Sequence, residues 1–449
     1  MAMVEEKGRA KSTPSERERV LREVNEQSVK FIHLWFTDIE GHLKSFSITP
    51  AELEGALDDG MGFDGSSITG FNAIEESDMV AIPDPTTFQL MPNGDVRVAR
   101  MICDVVTPDG QPYDGDPRNV LRRALDRMRS MGFDTFNVGP ELEYFIFKDD
   151  QGTVPLDEGG YFAMTTMDAA SDLRHDTVKA LESMGIPIEY VHHEVGPSQH
   201  EIDMRYASAL DMADHTITYR LVVKEIAKKA GYHATFMPKP IFGENGSGMH
   251  THQSLFKDGK NIFHDPKGSW QLSKTMLAYI GGLLAHARGM VAVTNPLINS
   301  FKRLVPGYEA PTNVAWSERN RSPLARVPDR RGTGTRVELR MPDPSCNPYL
   351  ALAVMLASGL DGIQQKLDPG PPVNKNIYEM SRRERARHRI TDLPADLNEA
   401  VNAMEKDALV QSTLGEHIFN HYITAKREEW HQYIASVHPW EHERYLSLY

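Results

Sequence analysis

Acidic and imidazole side chains recur along this sequence at intervals suited to chemistry at a metal ion. Glu141-Leu142-Glu143 lies between Gly139-Pro140 and the aromatic run Tyr144-Phe145-Ile146-Phe147. Such a run favours a strand, and in a strand residues i and i+2 share one face. Two carboxylates side by side next to buried rings repel each other unless a cation or protons intervene. An isolated pair of this kind is usually a solvated edge, but this one has company. His192-His193-Glu194 precedes Gly196-Pro197-Ser198, and His200-Glu201 opens a second strand-like stretch, so a Gly/Pro turn lets Glu194 and Glu201 approach across a hairpin. Asn245-Gly246-Ser247-Gly248-Met249-His250-Thr251-His252 sets two imidazoles at i, i+2. Arg336-Val337-Glu338-Leu339-Arg340 puts Arg, Glu and Arg on one strand face and apolar residues on the other.

The donor types point to a class of metal. Glu141, Glu143, Glu194, Glu201, Glu338 and His250 form an oxygen-rich set. Structural zinc sites prefer thiolate and imidazole. Cys103 and Cys346, the only cysteines, are far apart and read as buried thiols of a reducing compartment. Oxygen donors suit Mg²⁺ or Mn²⁺, the ions that accompany ATP phosphates. Five carboxylates exceed what one hard divalent ion balances, which favours two ions or more.

A second group is basic. Arg303 and Glu309 lie in the Pro/Gly-punctuated stretch 302–311, followed by Arg319, Arg321, Arg326, Arg336 and Arg340. Planar guanidiniums suit carboxylates and phosphates, where two parallel hydrogen bonds fit. Arg330-Arg331 reads as a solvated basic face. Asn245-Gly246-Ser247-Gly248 allows close backbone approach to a substrate but lacks the P-loop pattern. Residue chemistry alone thus gives a two-metal, ATP-type phosphoryl-transfer site with an anionic co-substrate, and leaves the substrate unnamed.

These groups must be positioned by a sizeable fold. The chain has 449 residues, 40% hydrophobic and 25% charged, enough for two or three domains, and its net charge of −14 disfavours nucleic acid as a partner. Residues 1–15 read as a polar tail. Thr13-Pro14-Ser15-Glu16 resembles a helix start with a capping box, and the helix runs to about Gln27. Residues 31–36, a turn at 38–41, residues 44–48 and residues 96–106 make a small sheet-rich domain over 16–115. Composition turns helical at Asp116-Pro117, where a catalytic domain over 116–449 begins. Within it, helices are expected at about 172–184, 209–230 and 272–293, with mainly helix beyond 350. The apolar run 276–285 is too short to span a bilayer, and residues 1–15 lack the apolar core of a secretory signal; a cytoplasmic protein with no membrane partner is expected.

Several segments closely resemble type I glutamine synthetases of bacteria and archaea. They are Phe63-Asp64-Gly-Ser-Ser-Ile68, Gly139-Pro-Glu-Leu-Glu143, His193-Glu-Val, Asn245-Gly-Ser-Gly-Met-His250, Lys302-Arg-Leu-Val-Pro-Gly-Tyr-Glu-Ala-Pro311, Asn320-Arg-Ser322 and Arg336-Val-Glu-Leu-Arg-Met-Pro-Asp-Pro344. The likeness runs from about Val29 to the C-terminus, in the family's order. It implies an α+β fold: a small N-terminal β-grasp-like domain and a large C-terminal α/β catalytic domain with a curved antiparallel sheet. It also implies a dodecamer of two hexameric rings whose active sites are shared between subunits, and glutamate, ammonium and ATP as substrates.

By the same resemblance, Glu143, Glu194 and Glu201 hold one metal ion, and Glu141, His250 and Glu338 hold the other, on the ATP phosphates. Arg303, Asn245 and Gly246 bind glutamate, and Arg321 and Arg340 steady the transferring phosphoryl. Glu189, His252, Ser254, Arg326 and Arg336 contact nucleotide, with Tyr206 stacked on adenine. Asp64, from the next subunit, binds and deprotonates ammonium, and Glu309 lies on a flap over the intermediate. A γ-glutamyl–polyamine ligase shares the fold, metals and arginines, but the intact Asp64 segment and Glu309 favour ammonia. A non-catalytic structural relative would not need all six metal-ligand positions, nor a metal-dependent phosphatase the flap. The subgroup inhibited directly by glutamine carries an arginine where this chain has Ala73. Tyr378 aligns with a tyrosine adenylylated in another subgroup, but its surroundings resemble the unmodified one, so no AMP adduct is expected there.

Overall fold

The computed structural model describes residues 14–68, 70, 78–92, 94, 96–320, 322–375 and 377–449. Thr13, Ala73 and Arg321 lie outside them, as does the side chain of Tyr378. The chain divides into two compact units: residues up to 38 with 42–119 and 183–185, and residues 39–41 with 120–182 and 186–449.

The smaller unit comprises α1 (Pro14–Glu26), β1 (Phe31–Thr37), β2 (Leu43–Ile48), α2 (Leu53–Asp59), β3 (Met61–Asp64), β4 (Asp78–Pro83), β5 (Gln89–Leu90) and β6 (Val98–Val106). Its sheet is ordered β2-β1-β6-β4-β3, with β5 on β6 and a parallel pairing of β1 with β6. Val20 and Val24 of α1 and Leu53 and Ala56 of α2 pack on Ile32, Leu34 and Met101 of the sheet. Gly60 ends α2 at φ +78°, and a Cβ there would lie 2.5 Å from Ile82 Cδ1, so only glycine lets β3 turn back onto β4. Asp64 closes β3, exposed, its carboxylate accepting the Ser66 N–H at 2.8 Å.

The chain continues through α3 (Pro117–Ser130), β7 (Thr135–Phe147), α4 (Ser171–Ser183), β8 (Ile188–His193), β9 (Gln199–Met204), β10 (Ala207–Ser208), α5 (Ala209–Lys229), β11 (His233–Thr235), β12 (Met249–Lys257) and β13 (Lys260–Asn261). There follow α6 (Lys274–Thr294), α7 (Ser300–Arg303), β14 (Asn313–Val314), β15 (Trp316–Ser317), β16 (Ala325–Arg326), β17 (Val337–Leu339), α8 (Pro348–Gln365), α9 (Arg382–Arg387), β18 (Thr391–Asp392), α10 (Leu397–Met404), α11 (Ala408–Leu414), α12 (Glu416–Ala435) and α13 (Pro439–Tyr445). The larger unit is built on a ten-stranded sheet ordered β15-β16-β17-β12-β7-β9-β8, with β10 and β11 on β7 and β13 on β12. Its pairings are antiparallel except β15 with β16, which run parallel. The long central strand β7 alternates along most of its length: Phe136, Val138 and Leu142 face the core, while Asn137, Gly139 and Glu141 face the other way.

Helices α6 and α8 pack closely within this unit. A Cβ on Gly282 would lie 2.0 Å from Ser358 O, and one on Gly362 would lie 2.1 Å from Ala278 O, so glycine alone permits this approach. Helix α6 extends past the short apolar run read in the sequence. By length and composition it is the one helix among the described residues that would suit a membrane, yet most of it is buried inside the unit. Ser273 caps its start and Pro296 follows its end.

His286, which interrupts the apolar run, sits on α6 between Asp407 (2.8 Å) and Asp361 of α8 (3.2 Å). Burial opposes its charge, but the two carboxylates prevail and raise its pKa above that of an ordinary histidine. A raised folded-state pKa contributes stability that is complete below the unfolded value and lost as pH rises through the folded one. His286→Gln should therefore cost on the order of 1 kcal/mol at pH 6 and less at pH 9 by thermal denaturation. An equal loss at both pH values would discount the ion pairs.

Candidate active site

The sheet register sets the carboxylates and imidazoles in lateral rows. Glu141 on β7 stands opposite His250 on β12, and His252 stands opposite Glu338 on β17. Glu143 stands opposite Glu201 on β9, which in turn stands opposite His192 on β8. The β8–β9 turn closes through the Glu194 N–H donating to Gln199 O at 2.7 Å, which brings Glu194 beside Glu201.

Among the described residues three sets of donor atoms lie within 4.8 Å of one another: Glu141, His250 and Glu338; His192, Glu194 and Glu201; and Asp157, His193 and His200. The first is one of the ligand triplets implied by the family resemblance. In the second, His192 stands where Glu143 was expected, its Nε2 2.6 Å from Glu194 Oε1. The Glu143 carboxylate is held instead by the Gly248 N–H (2.9 Å) and by Gln199 Nε2 (2.8 Å). Gln199 is a functional neighbour that the sequence did not signal.

The charges of these groups diverge. Burial and the nearby Glu194 push the Glu143 carboxyl up to about 8, and burial with Asp203 and Glu143 drives Glu201 well above the carboxylate range. Glu141 is half-buried; its desolvation opposes ionisation, but His252 and His250 hold it well below that range. Glu338 is lowered despite burial: Arg340 Nη1 donates to its Oε1, and Arg326 Nη1 to its Oε2 at 2.7 Å. Buried carboxylates that resist ionisation together suit a divalent cation, and the oxygen-rich donors suit a hard one. The residues present therefore fit the metal ions.

Support comes from the far side of the hairpin. His193 donates through Nδ1 to the main-chain oxygen of Glu194 (2.7 Å), while its Nε2 lies 2.9 Å from Asp157 Oδ1. Asp157 also accepts the Ser198, Gly159 and Ala169 N–H groups, tying the preceding loop to the turn. It sits far from the motifs in sequence, so spacing gave no hint of it.

Two cavities adjoin the rows. One, of about 220 Å³, is lined by Glu189, Tyr206, His252, Ser254 and Arg336, together with Glu141, Tyr190, Asp203 and Arg330. Arg330 is exposed, as read in the sequence, and also lines this cavity beside the turn at Gly332–Gly334, where a Cβ on Gly334 would meet its Cδ at 2.8 Å. Arg326, expected to contact nucleotide, does not line this cavity and instead grips Glu338. The other cavity, of about 30 Å³, gathers Glu143, Glu194, Asn245, Gly246, Arg303, Glu309 and Arg340. Arg303, 2% exposed, donates to Met341 O at 2.7 Å and Arg340 O at 3.2 Å. Gly246 must be glycine, since a Cβ would lie 2.3 Å from Pro238 O. Asp64 belongs to the smaller unit.

Residues 28–108 match the family model described as the glutamine synthetase beta-Grasp domain, and residues 114–445 match the glutamine synthetase catalytic domain. The chain belongs to the glutamine synthetase family. Family relatives named glutamine synthetase include one from Thermus thermophilus, 54% identical over 439 residues, covering 96% of this chain and 98% of the relative. Another, from Methanosarcina mazei, is 54% identical over 438 residues at the same coverage. A solved structure described as a GmaS/ADP complex is 31% identical with a TM-score of 0.88, covering 95% of this chain and 99% of that one. The glutamine synthetase fold, a β-grasp unit with a larger catalytic unit, is the architecture described above.

Proposed function

We propose that this chain joins ammonia to the γ-carboxylate of L-glutamate at the expense of ATP, through γ-glutamyl phosphate, giving L-glutamine, ADP and phosphate. The observation that carries this reading is the pair of carboxylate–imidazole groups on adjacent strands, in a chain 54% identical to named glutamine synthetases over 96% of its length.

A carboxylate resists an amine because its leaving group would be oxide; phosphorylation converts it to an acyl phosphate with a good leaving group. Arg303, Asn245 and Gly246 hold glutamate, with Arg340 and Arg321 toward the phosphoryl being transferred. Two Mg²⁺ or Mn²⁺ ions, on Glu141, His250 and Glu338 and on Glu143, Glu194 and Glu201 with His192 beside them, would neutralise the phosphate charge. Tyr206 stacks on adenine, while Glu189, His252, Ser254 and Arg336 line the nucleotide's cavity and Arg326 orients Glu338.

Ammonium must lose a proton before it can attack. Asp64, offered by a neighbouring subunit of a dodecamer of two hexameric rings, binds the cation and accepts that proton. The hydrogen bonds from Ser66 lower the Asp64 pKa, which keeps it anionic and ready for a cation. Glu309 covers the intermediate against water.

Purified protein with Mg²⁺, ATP and glutamate should release phosphate when given ammonium, and far less with putrescine or ethylamine. Release that requires a larger amine and ignores ammonium would overturn the assignment. Asp64→Ala should raise the ammonium KM much more than the ATP KM; unchanged ammonium kinetics would remove the role given to Asp64.

A further inference from the structure

One lysine outside the set considered so far joins the two loops that bound the small cavity. Lys239 lies in the segment between β11 and the Asn245–Gly248 loop. Its Nζ stands 3.7 Å from the centre of the Tyr308 ring, over the ring face, and donates to the main-chain oxygen of Glu244. Its own main chain is fixed: the Lys239 N–H donates to Asn299 Oδ1 at 2.7 Å, and Asn299 Nδ2 donates to Lys239 O at 3.0 Å. The neighbouring Pro238 O accepts the Ser247 N–H at 2.8 Å. One short segment thus anchors the 244–248 loop, α7 with Arg303, and the aromatic ring next to Glu309.

The flap carries backbone strain in this conformation. Gly307 and Glu309 both take left-handed backbone conformations, at φ +96° and +60°, and the second is unfavourable for a residue with a side chain. Tyr308 lies between them, half-buried, with its ring under the ammonium. A cation over an aromatic face attracts the ring, more strongly as water is excluded.

We propose that Lys239 is a positioning residue that latches the Glu309 flap shut: it binds Tyr308 to the glutamate-binding loop and so keeps the acyl phosphate from reacting in the wrong way. This rests on the glutamine-forming reaction proposed above. With the latch open, two losses compete with attack by ammonia. Water can form a C–O bond to the acyl carbon as the C–OPO₃ bond breaks, returning glutamate and phosphate. Alternatively, the substrate's α-amine can attack that carbon, expelling phosphate, losing its proton to solvent and closing 5-oxoproline. Each consumes ATP without making glutamine.

The ratio of phosphate released to glutamine formed measures the latch directly. The parent enzyme should give a ratio near unity. Lys239→Met should raise it severalfold and produce 5-oxoproline, whereas Lys239→Arg, which keeps a cation over the ring, should restore it. Tyr308→Leu, on the loop itself, should leak like Lys239→Met, and Tyr308→Phe should not. A folded Lys239→Met and Tyr308→Leu that both keep the parent ratio would overturn the latch. A parent that forms no glutamine from ammonium would instead overturn the underlying reaction, so the two failures are distinct.

Discussion

Glu338→Gln should lower ammonium-dependent phosphate release by on the order of 10²–10³-fold, the loss seen when one preorganised group at developing charge is removed. The shape is kept and the charge is lost. Glu338 is 1% exposed and is held by Arg340 and Arg326, with His250 Nδ1 3.9 Å from its Oε1. An amide there removes a carboxylate oxygen from the proposed metal site and leaves two guanidiniums beside a neutral partner, which misplaces Arg340 as well. The matching measurement is a calorimetric titration with Mn²⁺, in which one binding event should weaken or vanish. A variant that turns over within tenfold of the parent and keeps both binding events would remove Glu338 from the metal site.

The second large effect is a dependence of metal stabilisation on pH. Without a cation, burial and Glu194 push Glu143 up to about 8, well above an ordinary glutamate, and Glu201 moves the same way. A carboxyl whose folded-state pKa lies above its unfolded value binds more protons when folded. The metal-free protein therefore loses stability as pH rises from about 4.5 to about 8. Cations compete with those protons, so added Mg²⁺ or Mn²⁺ should raise Tm more at pH 8.5 than at pH 6. At a hundredfold excess over Kd the stabilisation is about 2.7 kcal/mol. Equal Tm gains at the two pH values, measured by differential scanning calorimetry, would mean that the buried carboxylates do not hold the ions.

The parts of the site legible in the sequence are those governed by the two-residue period of strands. Glu141 with Glu143, His250 with His252, and the turn joining Glu194 to Glu201 each announce a shared face or a hairpin. The register that lines them up also follows once the core side of β7 is known. What escaped depends on side chains arriving from elsewhere. Glu143 is drawn toward Gly248 and Gln199, and His192 takes its place beside Glu194, because hydrogen bonds set rotamers that spacing cannot. Asp157 acts through main-chain N–H groups of a loop without regular period. Arg330 is the surface charge that the sequence indicates, but only the 332–334 turn brings it to the rim of a cavity. The parallel β15–β16 pair was hidden because two-residue strands carry no pattern.

The glycine seam between α6 and α8 also bears on how this enzyme can be made more heat-resistant. Exchanging glycine for alanine inside helices is a common engineering route, since it stiffens the unfolded chain. At Gly282, Gly359 and Gly362 it would fail, because the added methyl would overlap Ser358 O, the Tyr279 ring or Ala278 O and wedge the pair apart. The damage would not stay local. Just beyond α6, Asn295 ties to Met341 O and Asp343, next to the carbonyls that hold Arg303, and Asn347 caps the start of α8. Hardening this protein is better attempted at Gly55 within α2, where a Cβ meets nothing and the backbone is already helical.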